Sequence, residues 1–497
     1  MSSPAVRPPE TVPMSVAPYK HWAILVALVT LLVGLITNSL HSPLSMATVI
    51  IAAAVIVVGL VPAIQWILYA AADRPRFPLM GLAGAYYAVF YGFSVFFVDI
   101  LWHDYYRQLV FYQQPAPIYI DEYSMLATLA GISFMIGAYQ VTKSRLVSNF
   151  PSMKIQTNVD WSAVRVLSWI LAAAFLIYQL VPSLSKIPTL GSFMVPAGNV
   201  GIIVLYAMAR LKKLTRVEAV LLVLVVFPIL LMSWIAQSFM TPIMIFATVI
   251  IFTEAWLKER LPWKSIVALP VLFLLIYPVT GEIRAKVWAP GNSLGVVEKA
   301  SLSAKTLLNF YGFELGEKNN YESNPPGSKA SFVGVTTRIS HQLILARIIQ
   351  STPDQVPYWG GETYAPLLSK LIPRVLWQEK PQERSGNEFG RRYHFLLPTE
   401  FNMSVNIPWM PELFANFGWV GMITGMALIG VLMCLLEAFF VSPRGGYLEG
   451  AVGVAIVSPL FMHESNFSLM VGNIPLIALS VWVFYRLGLL ILSLVRP

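Results

Sequence analysis

Residues 372–395, IPRVLWQEKPQERSGNEFGRRYHF, gather cations in a chain that is otherwise apolar. The cations of this stretch are Arg374, Lys380, Arg384, Arg391 and Arg392. An arginine side chain is a planar fork that pairs bidentately with phosphate oxygens and stays charged at physiological pH. The stretch therefore predicts a site for a phosphate or diphosphate, whereas any single cation is explained equally well by solubility or by contact with lipid headgroups. Since neighbouring residues of a helix point about 100° apart, we expect only one of the last two arginines to contact a ligand.

Two more candidates for substrate binding lie upstream of this stretch. Arg284 follows an apolar segment in GEIRAKVW (281–288), at the height of a lipid diphosphate, and interfacial snorkelling is its alternative role. The apolar spacing of residues 331–350 predicts a helix that ends before Thr352-Pro353. Arg338 and His341 would share one face of that helix. His341 is a candidate general base because an imidazole titrates near neutrality, although a structural hydrogen bond is the commoner role of a lone histidine.

Polar residues at the edges of two late apolar segments complete the candidate set. Glu412 follows Pro411 at the start of a segment, which suits helix capping. It is also the rival general base, because partial burial would raise the pKa of its carboxyl. His463 and Glu464 belong to a polar turn, His463-Glu464-Ser465-Asn466, that suits contact with sugar hydroxyls.

The acidic residues do not form a recognisable metal motif. No two of the six aspartates are separated by one residue, so the chain has no DxD motif, and the six histidines lack metal-ligand spacing. We therefore predict neither a metal nor another cofactor. Some lipid-dependent glycosyltransferases place acids in their first outer loop, but here that loop is about residues 41–43 and has none. Four acids of the second outer loop are the remaining, weaker candidates for this catalytic arrangement: Asp99, Asp104, Asp121 and Glu122.

The composition indicates that the candidate residues belong to an integral membrane protein. Apolar residues make up 57% of the 497 residues, charged residues 12%, and the mean hydropathy is +0.66. A soluble domain carries about 25% charged residues. The only cysteine, Cys434, lies in an apolar run and permits no intramolecular disulfide. We predict an all-α, polytopic integral membrane protein.

Twelve apolar runs approach the roughly 20 residues that a membrane helix needs. They lie near 22–40, 44–66, 78–101, 123–141, 162–182, 189–209, 217–236, 239–257, 265–281, 411–436, 448–464 and 470–494. The domain prediction follows from them: a disordered cytoplasmic tail (1–20), helices one to nine (21–281), a helical extracytoplasmic subdomain (282–410) and helices ten to twelve (411–497).

Basic residues in the short connections set the orientation. Sixteen lysines and arginines fall in alternate segments, and the opposite short loops carry only Arg107 and Lys186. Because cytoplasmic loops are enriched in these residues, both termini are predicted to be cytoplasmic and the 282–410 loop extracytoplasmic. The span centres contain almost no ionisable residue, which weakens an ion-coupled transport function without excluding a flippase.

An extracytoplasmic arginine cluster suits a lipid diphosphate, because arginines also stabilise the charge of a diphosphate leaving group. The runs GGETYAPLLSKLIPRVLWQEKP (360–381) and PELFANFGWVG (411–421) resemble the O-antigen and exopolysaccharide repeat-unit polymerases (Wzy-type). The layout of twelve spans with a large loop after the ninth is similar to the related O-antigen ligases. The resemblance covers the last half of the chain, and Gln378 stands where the pattern has a proline.

The resemblance implies a function. Such enzymes transfer an undecaprenyl-diphosphate-linked glycan onto another lipid-linked repeat unit, by inversion and without a metal, in the bacterial cytoplasmic membrane. Partners would be these glycans, the lipid bilayer, and a chain-length regulator and flippase of the same pathway, with no nucleic acid. Two alternatives stay open: a ligase-like transfer of finished glycan to another acceptor, and, in a different class, a flippase or exporter of lipid-linked sugar.

Overall fold

The structure is a computed structural model of the chain. It describes residues 44–70, 77–96, 120–154, 160–185, 190–236, 240–258, 275–287, 294–312, 339–370, 376–379, 384–442 and 446–495, with isolated residues at 25–32, 187, 262–271 and 372. The predicted tail, most of the first predicted span, several residues of the ninth, and residues 313–338 lie outside the described residues.

The described residues form helices and no strands. The longer helices are α1 Met46–Ala70, α2 Leu79–Tyr87, α3 Glu122–Arg145, α4 Trp161–Leu180, α5 Leu190–Arg210, α6 Arg216–Leu221, α7 Phe227–Ala236, α8 Met240–Lys258, α9 Thr280–Val287, α10 Val296–Phe310, α11 His341–Ser351, α12 Ser385–Arg392, α13 Trp409–Phe440, α14 Tyr447–Val457, α15 Phe467–Val471 and α16 Ile474–Val495. Two π-helical turns, Ala88–Phe93 and Leu222–Val226, extend α2 and join α6 to α7. Short α-helices lie at Pro182–Ser185 and Pro366–Lys370, and 3-10 turns lie at Val147–Asn149, Tyr277–Val279, Glu362–Tyr364 and Ser458–Phe461.

Seven of these helical stretches are long and apolar enough to cross a membrane. They are Met46–Leu68, Glu122–Arg145, Trp161–Leu180, Phe193–Arg210, Arg216–Ile235, Trp409–Phe440 and Phe467–Gly488. The third, eighth and eleventh predicted spans are shorter apolar helices within the described residues: Leu79–Phe93, Pro242–Glu254 and Leu448–Phe461. The described residues are thus all-helical and include helices long and apolar enough to span a membrane, whereas the count of twelve spans remains a prediction.

Close helix packing holds the elements that carry the candidate residues. The backbones of α1 and α2 approach so closely that a Cβ on Gly84 would lie 2.2 Å from the carbonyl oxygen of Gly59. Along α13, a Cβ on Gly430 would lie 2.0 Å from the carbonyl oxygen of Met135 in α3. Small residues permit such contacts between apolar helices, which lack a hydrophobic driving force in lipid. These contacts fix α2 against α1 and α13 against α3.

The predicted helix over 331–350 is observed only in part. α11 begins at His341, and its N-cap Ser340 has non-helical backbone angles (φ −90°, ψ 61°). Arg338 lies outside the described residues, so its expected shared face with His341 on one continuous helix is not seen. The helix ends at Ser351, before the predicted Thr352-Pro353 stop.

The polar segment after α11 docks on the N-terminal end of α13. The backbone N–H groups of Trp359 and Gly360 donate to the carbonyl oxygens of Ala415 (3.1 Å) and Asn416 (3.2 Å). Those carbonyls would normally accept from residues four positions later within α13. They are released because Gly418 interrupts the helix with φ 66° and ψ −156°. Gly418 therefore makes the two carbonyl groups available to the docked segment. The predicted turn is present at Gly360 and Gly361, which both have positive φ.

Candidate functional site

A buried polar cluster lies where four segments meet: the end of α2, the start of α11, the start of α13 and the turn between α14 and α15. We call it the tyrosine–histidine cluster and define it as Tyr86, Tyr87, Tyr91, His341, Trp409, Glu412, His463 and Glu464. All of these residues are buried. α3 contributes to its wall through Thr128, whose hydroxyl donates to Gln342 Oε1 at 2.6 Å. The outermost of these residues, Tyr86 and Glu464, are 378 positions apart in the sequence, and the fold brings them together.

His341 is the first residue of α11 and is only 3% exposed. Its Nδ1 lies 2.6 Å from the hydroxyl oxygen of Tyr86. The rings of Phe90 and Tyr91 lie against it as well, with centroids 4.8 and 6.0 Å from the imidazole. The candidate base is therefore held in an aromatic enclosure with one ring nitrogen already engaged.

His463 is fully buried and makes the matching contact with the next tyrosine. Its Nδ1 lies 2.9 Å from the hydroxyl oxygen of Tyr87. The indole of Trp409 stacks on the imidazole, with centroids 3.8 Å apart and planes 14° apart. Burial lowers the pKa of His463 to about 3, so this imidazole is neutral at physiological pH. A neutral imidazole is a hydrogen-bonding group for uncharged polar ligands and not an anion site.

Both acids of the cluster accept hydrogen bonds from uncharged donors. Glu412 Oε2 accepts from the backbone N–H of Phe467 at 2.7 Å. Phe467 is the first residue of α15, so Glu412, which lies in the first turn of α13 as the sequence predicted, also bonds to the start of a neighbouring helix. Glu464 Oε1 accepts from the amide of Asn406 at 2.5 Å. The predicted polar turn at 463–466 is present, and its carboxylate is tied to the segment that precedes α13.

Arg391 and Arg392 lie in α12, as the helical prediction required, and have different surroundings. The Arg392 guanidinium lies 4.0 Å from the ring centroid of Trp359 and pairs with Glu388 and with Glu362 (3.3 Å). The Arg391 guanidinium lies 4.6 Å from the ring centroid of Phe401. Its Nε donates to Asn387 Oδ1 at 3.0 Å. Within the described residues Arg391 makes no ion pair, so its charge is free to meet an anion.

Trp359 connects the arginines to the tyrosine–histidine cluster. Its ring lies under Arg392, and its backbone bonds to Ala415, which lies one helical turn after Glu412. Asn416 reinforces the joint, because its side chain accepts from Gly361 N (2.9 Å) and donates to Thr363 Oγ1 (2.9 Å). The cation-bearing helix and the buried cluster are thus anchored to the same end of α13.

The structure does not bring all predicted cations into this arrangement. Arg338, Arg374 and Lys380 lie outside the described residues. Arg284 lies in α9, and its side chain is outside the described part. Arg384 precedes α12 and is exposed. Asp99 and Asp104 of the second predicted outer loop are also not described, while Asp121 accepts from Ser124 N at 2.8 Å as the N-cap of α3.

Sequence reasoning missed several residues of the site. Tyr86 and Tyr87 lie in an apolar run, where a tyrosine in the sequence indicates a residue at the membrane interface. Their hydrogen bonds to the histidines are visible only in the structure. Arg347 is 2% exposed on α11, with its Nε donating to the Tyr393 carbonyl at 3.3 Å. An arginine inside the apolar run LILARIIQ was the available signal for a buried cation.

The imidazoles, tyrosine hydroxyls and carboxyl groups of the cluster can take part in proton exchange and hydrogen bonding. The neighbouring helix α12 carries Arg391, which makes no ion pair within the described residues. No group of three or more His, Cys, Asp or Glu residues with metal-binding geometry occurs among the described residues. The fold and this site define an all-helical protein with membrane-length apolar helices and a buried polar site where several of them end. The chain belongs to the family described as a domain of unknown function, DUF8712, which matches residues 80–489. No curated protein and no solved structure matches the chain significantly.

Proposed function

We propose that the protein is a glycosyltransferase that polymerises undecaprenyl-diphosphate-linked repeat units at the outer face of the bacterial cytoplasmic membrane. The observation that carries this proposal is the joint at the start of α13. Through the contact of Arg392 with Trp359, this joint anchors α12 at the helix end that also carries the tyrosine–histidine cluster. The neighbouring Arg391 of α12 makes no ion pair within the described residues. Transfer from a lipid diphosphate needs both parts: a cation for the departing diphosphate and a polar, water-poor site for the acceptor hydroxyl.

The positions of the helix ends support an outer location for the site. The cluster uses the end of α2, the start of α3, the start of α13 and the turn after α14. The basic-residue pattern assigns each of these ends to the extracytoplasmic side. The proposed topology has twelve spans and both termini in the cytoplasm, with the 282–410 segment outside.

Arg391 is the described residue best suited to the donor. Its guanidinium is oriented by Phe401 and Asn387 and is not neutralised by a carboxylate of the described chain. Two glutamates already compensate Arg392, so a diphosphate there would meet net negative charge. We assign Arg391 to the donor diphosphate, with Arg284, Arg338, Arg374, Lys380 and Arg384 as further candidates, and Arg392 to the support of Trp359.

The buried cluster supplies the acceptor side. An acceptor hydroxyl must lose its proton as it attacks the anomeric carbon, and a general base contributes roughly 10²–10⁴-fold to the rate. We assign this role to His341. Its burial excludes water, which would otherwise compete with the sugar hydroxyl. His463 and Glu464 are assigned to acceptor hydroxyls, and Glu412 stabilises α15, which packs beside them.

Deletion of the gene, followed by gel analysis of surface glycan and of extracted lipid-linked glycan, tests the proposal. Loss of a polymerase leaves single repeat units on the final acceptor, and this is the expected result. Polymer stranded on the carrier lipid would instead identify a ligase. Single units confined to the cytoplasmic leaflet would identify a flippase, and an unchanged glycan profile would overturn the proposal.

A further inference from the structure

Two consecutive tyrosines of α2 hold two histidines that come from distant parts of the chain. The hydroxyl of Tyr86 meets Nδ1 of His341 at 2.6 Å, and that of Tyr87 meets Nδ1 of His463 at 2.9 Å. Consecutive residues of a helix point about 100° apart, so the two tyrosines contact different neighbouring segments. One ring nitrogen of each histidine is therefore hydrogen-bonded to a tyrosine of α2.

The π-helical turn explains why His341 is enclosed on this side. Within it, Ser94 N donates to the carbonyl oxygen of Val89, five residues earlier, at 3.0 Å. The wider turn brings Tyr91 back toward the face of Tyr86, and their ring centroids lie 6.3 Å apart. Tyr86, Phe90 and Tyr91 then surround the imidazole together. A regular α-helix would direct Tyr91 away from this face.

We propose that Tyr86 is a positioning residue that fixes the ring orientation and tautomer of His341, so that Nε2 is the atom that accepts the acceptor proton. This inference rests on the proposed function. A tyrosine hydroxyl both donates and accepts. Either atom of this contact can be the donor. We assign the shared proton to Nδ1 of His341, so that Nδ1–H donates to the Tyr86 oxygen and the lone pair is on Nε2, because the partner of one ring nitrogen sets the state of the other. The transferred proton passes from the sugar hydroxyl to Nε2 as the glycosidic bond to the acceptor oxygen forms and the bond to the diphosphate oxygen breaks.

The chain provides matched variants. Tyr86→Phe removes only the hydroxyl that meets His341, and Tyr87→Phe removes its neighbour on His463. Tyr485→Phe removes another buried tyrosine hydroxyl, which bonds to Ser168 at 3.0 Å in the α4–α16 packing, outside the cluster. The three changes delete the same atom from the same residue type.

Nitrogen-15 NMR of histidine-labelled, full-length protein in lipid nanodiscs reads the tautomer directly. The His341 signal is identified among the six histidines by its loss in His341→Gln. We expect the Nδ1–H form in the wild type and in Tyr485→Phe, and a mixture of tautomers in Tyr86→Phe. An Nε2–H form in the wild type would overturn the inference, even if Tyr86→Phe fails to fold. So would an unchanged His341 signal in Tyr86→Phe.

Kinetics separate positioning from a structural effect. The probe is the lipid-linked single repeat unit extracted from the deletion strain, used as donor and acceptor. Tyr86→Phe should lower kcat about tenfold, with KM nearly constant; this loss is smaller than the roughly 10²–10⁴-fold that a general base contributes, because the variant keeps His341 itself. Tyr87→Phe should act mainly on KM, and Tyr485→Phe on neither. Equal losses in Tyr86→Phe and Tyr485→Phe would reduce Tyr86 to a packing residue. An inactive wild type would overturn the proposed function, whereas the NMR result would still decide the Tyr86–His341 contact.

Discussion

Two adjacent arginines of α12 show how strongly the surroundings decide the role of one residue type. Arg392 is stacked on a buried indole and paired with two carboxylates. Arg391 is stacked on Phe401, which is 57% exposed, and has no ion pair within the described part of the chain. The sequence predicts that the two point in different directions. Glu388, four residues before Arg392, can pair with it on any helix, whereas Glu362 reaches Arg392 only through the fold.

The pair gives a prediction at the level of single residues. Arg391→Lys keeps the charge but loses the planar fork, so kcat/KM for the lipid-linked donor should fall by about one to two decades, the equivalent of roughly 1.5–3 kcal/mol. Arg392→Lys retains a partly exposed ion pair worth about 0–1 kcal/mol, so the expected loss is below about fivefold. Arg145→Ala, at the opposite end of α3, removes an exposed cation as a control. A larger loss in Arg392→Lys than in Arg391→Lys would reverse the assignment.

The candidate residues were predictable from sequence to very different degrees. His341, Glu412, His463 and Glu464 could be chosen because polar side chains are unusual at the edges of apolar segments. Their partners could not be chosen, since the contact of Tyr86 with His341 joins residues 255 positions apart. Side-chain direction depends on how helices pack, and no local pattern in a single sequence encodes it.

At the scale of elements, the start of α13 depends on a break in its own helix. Gly418 has a backbone conformation (φ 66°, ψ −156°) that is close to a region reserved for glycine. Its interruption frees the carbonyls that receive Trp359 and Gly360. The sequence predicts an apolar helix over 411–436, and helical periodicity gives no sign of the break within it.

Gly418→Ala should weaken this joint. The new Cβ would lie 2.8 Å from the Tyr358 hydroxyl oxygen, and the strained backbone costs about 1–3 kcal/mol. We expect a lower Tm in nanodiscs and a loss of glycan extension. Gly137→Ala in α3 is the matched control, because a Cβ there has no atom within 4 Å and alanine favours a helix. If Gly418→Ala melted no lower than Gly137→Ala, the glycine would not be needed to hold the docked segment.

The long apolar helices could be predicted well, and the short ones could not. Length and hydropathy identify α3, α4 and α13, because a membrane-spanning helix can be recognised from a run of about 20 apolar residues without any periodic pattern. The site elements α11 and α12 have 11 and 8 residues, and their bounds depend on caps and tertiary contacts. This explains why the predicted 331–350 helix and the observed α11 differ at their start.

At the scale of the whole molecule, two contacts of partly buried glutamates between apolar helices lie at the ends opposite the candidate site. Arg210 and Glu254 form two hydrogen bonds of 2.7 Å between α5 and α8. Tyr139 donates to Glu437 at 3.0 Å between α3 and α13. Both contacts lie at helix ends that the basic-residue pattern assigns to the cytoplasm, whereas the tyrosine–histidine cluster lies at ends assigned to the outside. In the proposed topology, these two glutamate contacts therefore lie on the cytoplasmic side of the membrane and the tyrosine–histidine cluster lies on the outer side.

Cysteine labelling tests this orientation. Cys434 is buried and can be replaced by alanine to give a background without reactive thiols. Gln355→Cys, in the exposed turn after α11, should react with an impermeant maleimide in intact spheroplasts. Lys213→Cys, exposed between α5 and α6, should react only after permeabilisation. The reverse pattern would place the site in the cytoplasm and exclude a reaction at the outer face.

Chain extension by the purified protein tests the central proposal most directly. The protein in nanodiscs is given the lipid-linked single repeat unit from the deletion strain, with a chelator present, and the products are resolved by length. We expect a ladder of repeats with release of one undecaprenyl diphosphate per added unit, and less than about a hundredth of that rate for His341→Ala, since a general base contributes roughly 10²-fold at least. A wild-type protein that folds in the nanodisc, yet forms no longer glycan and releases no undecaprenyl diphosphate, would contradict the proposed function.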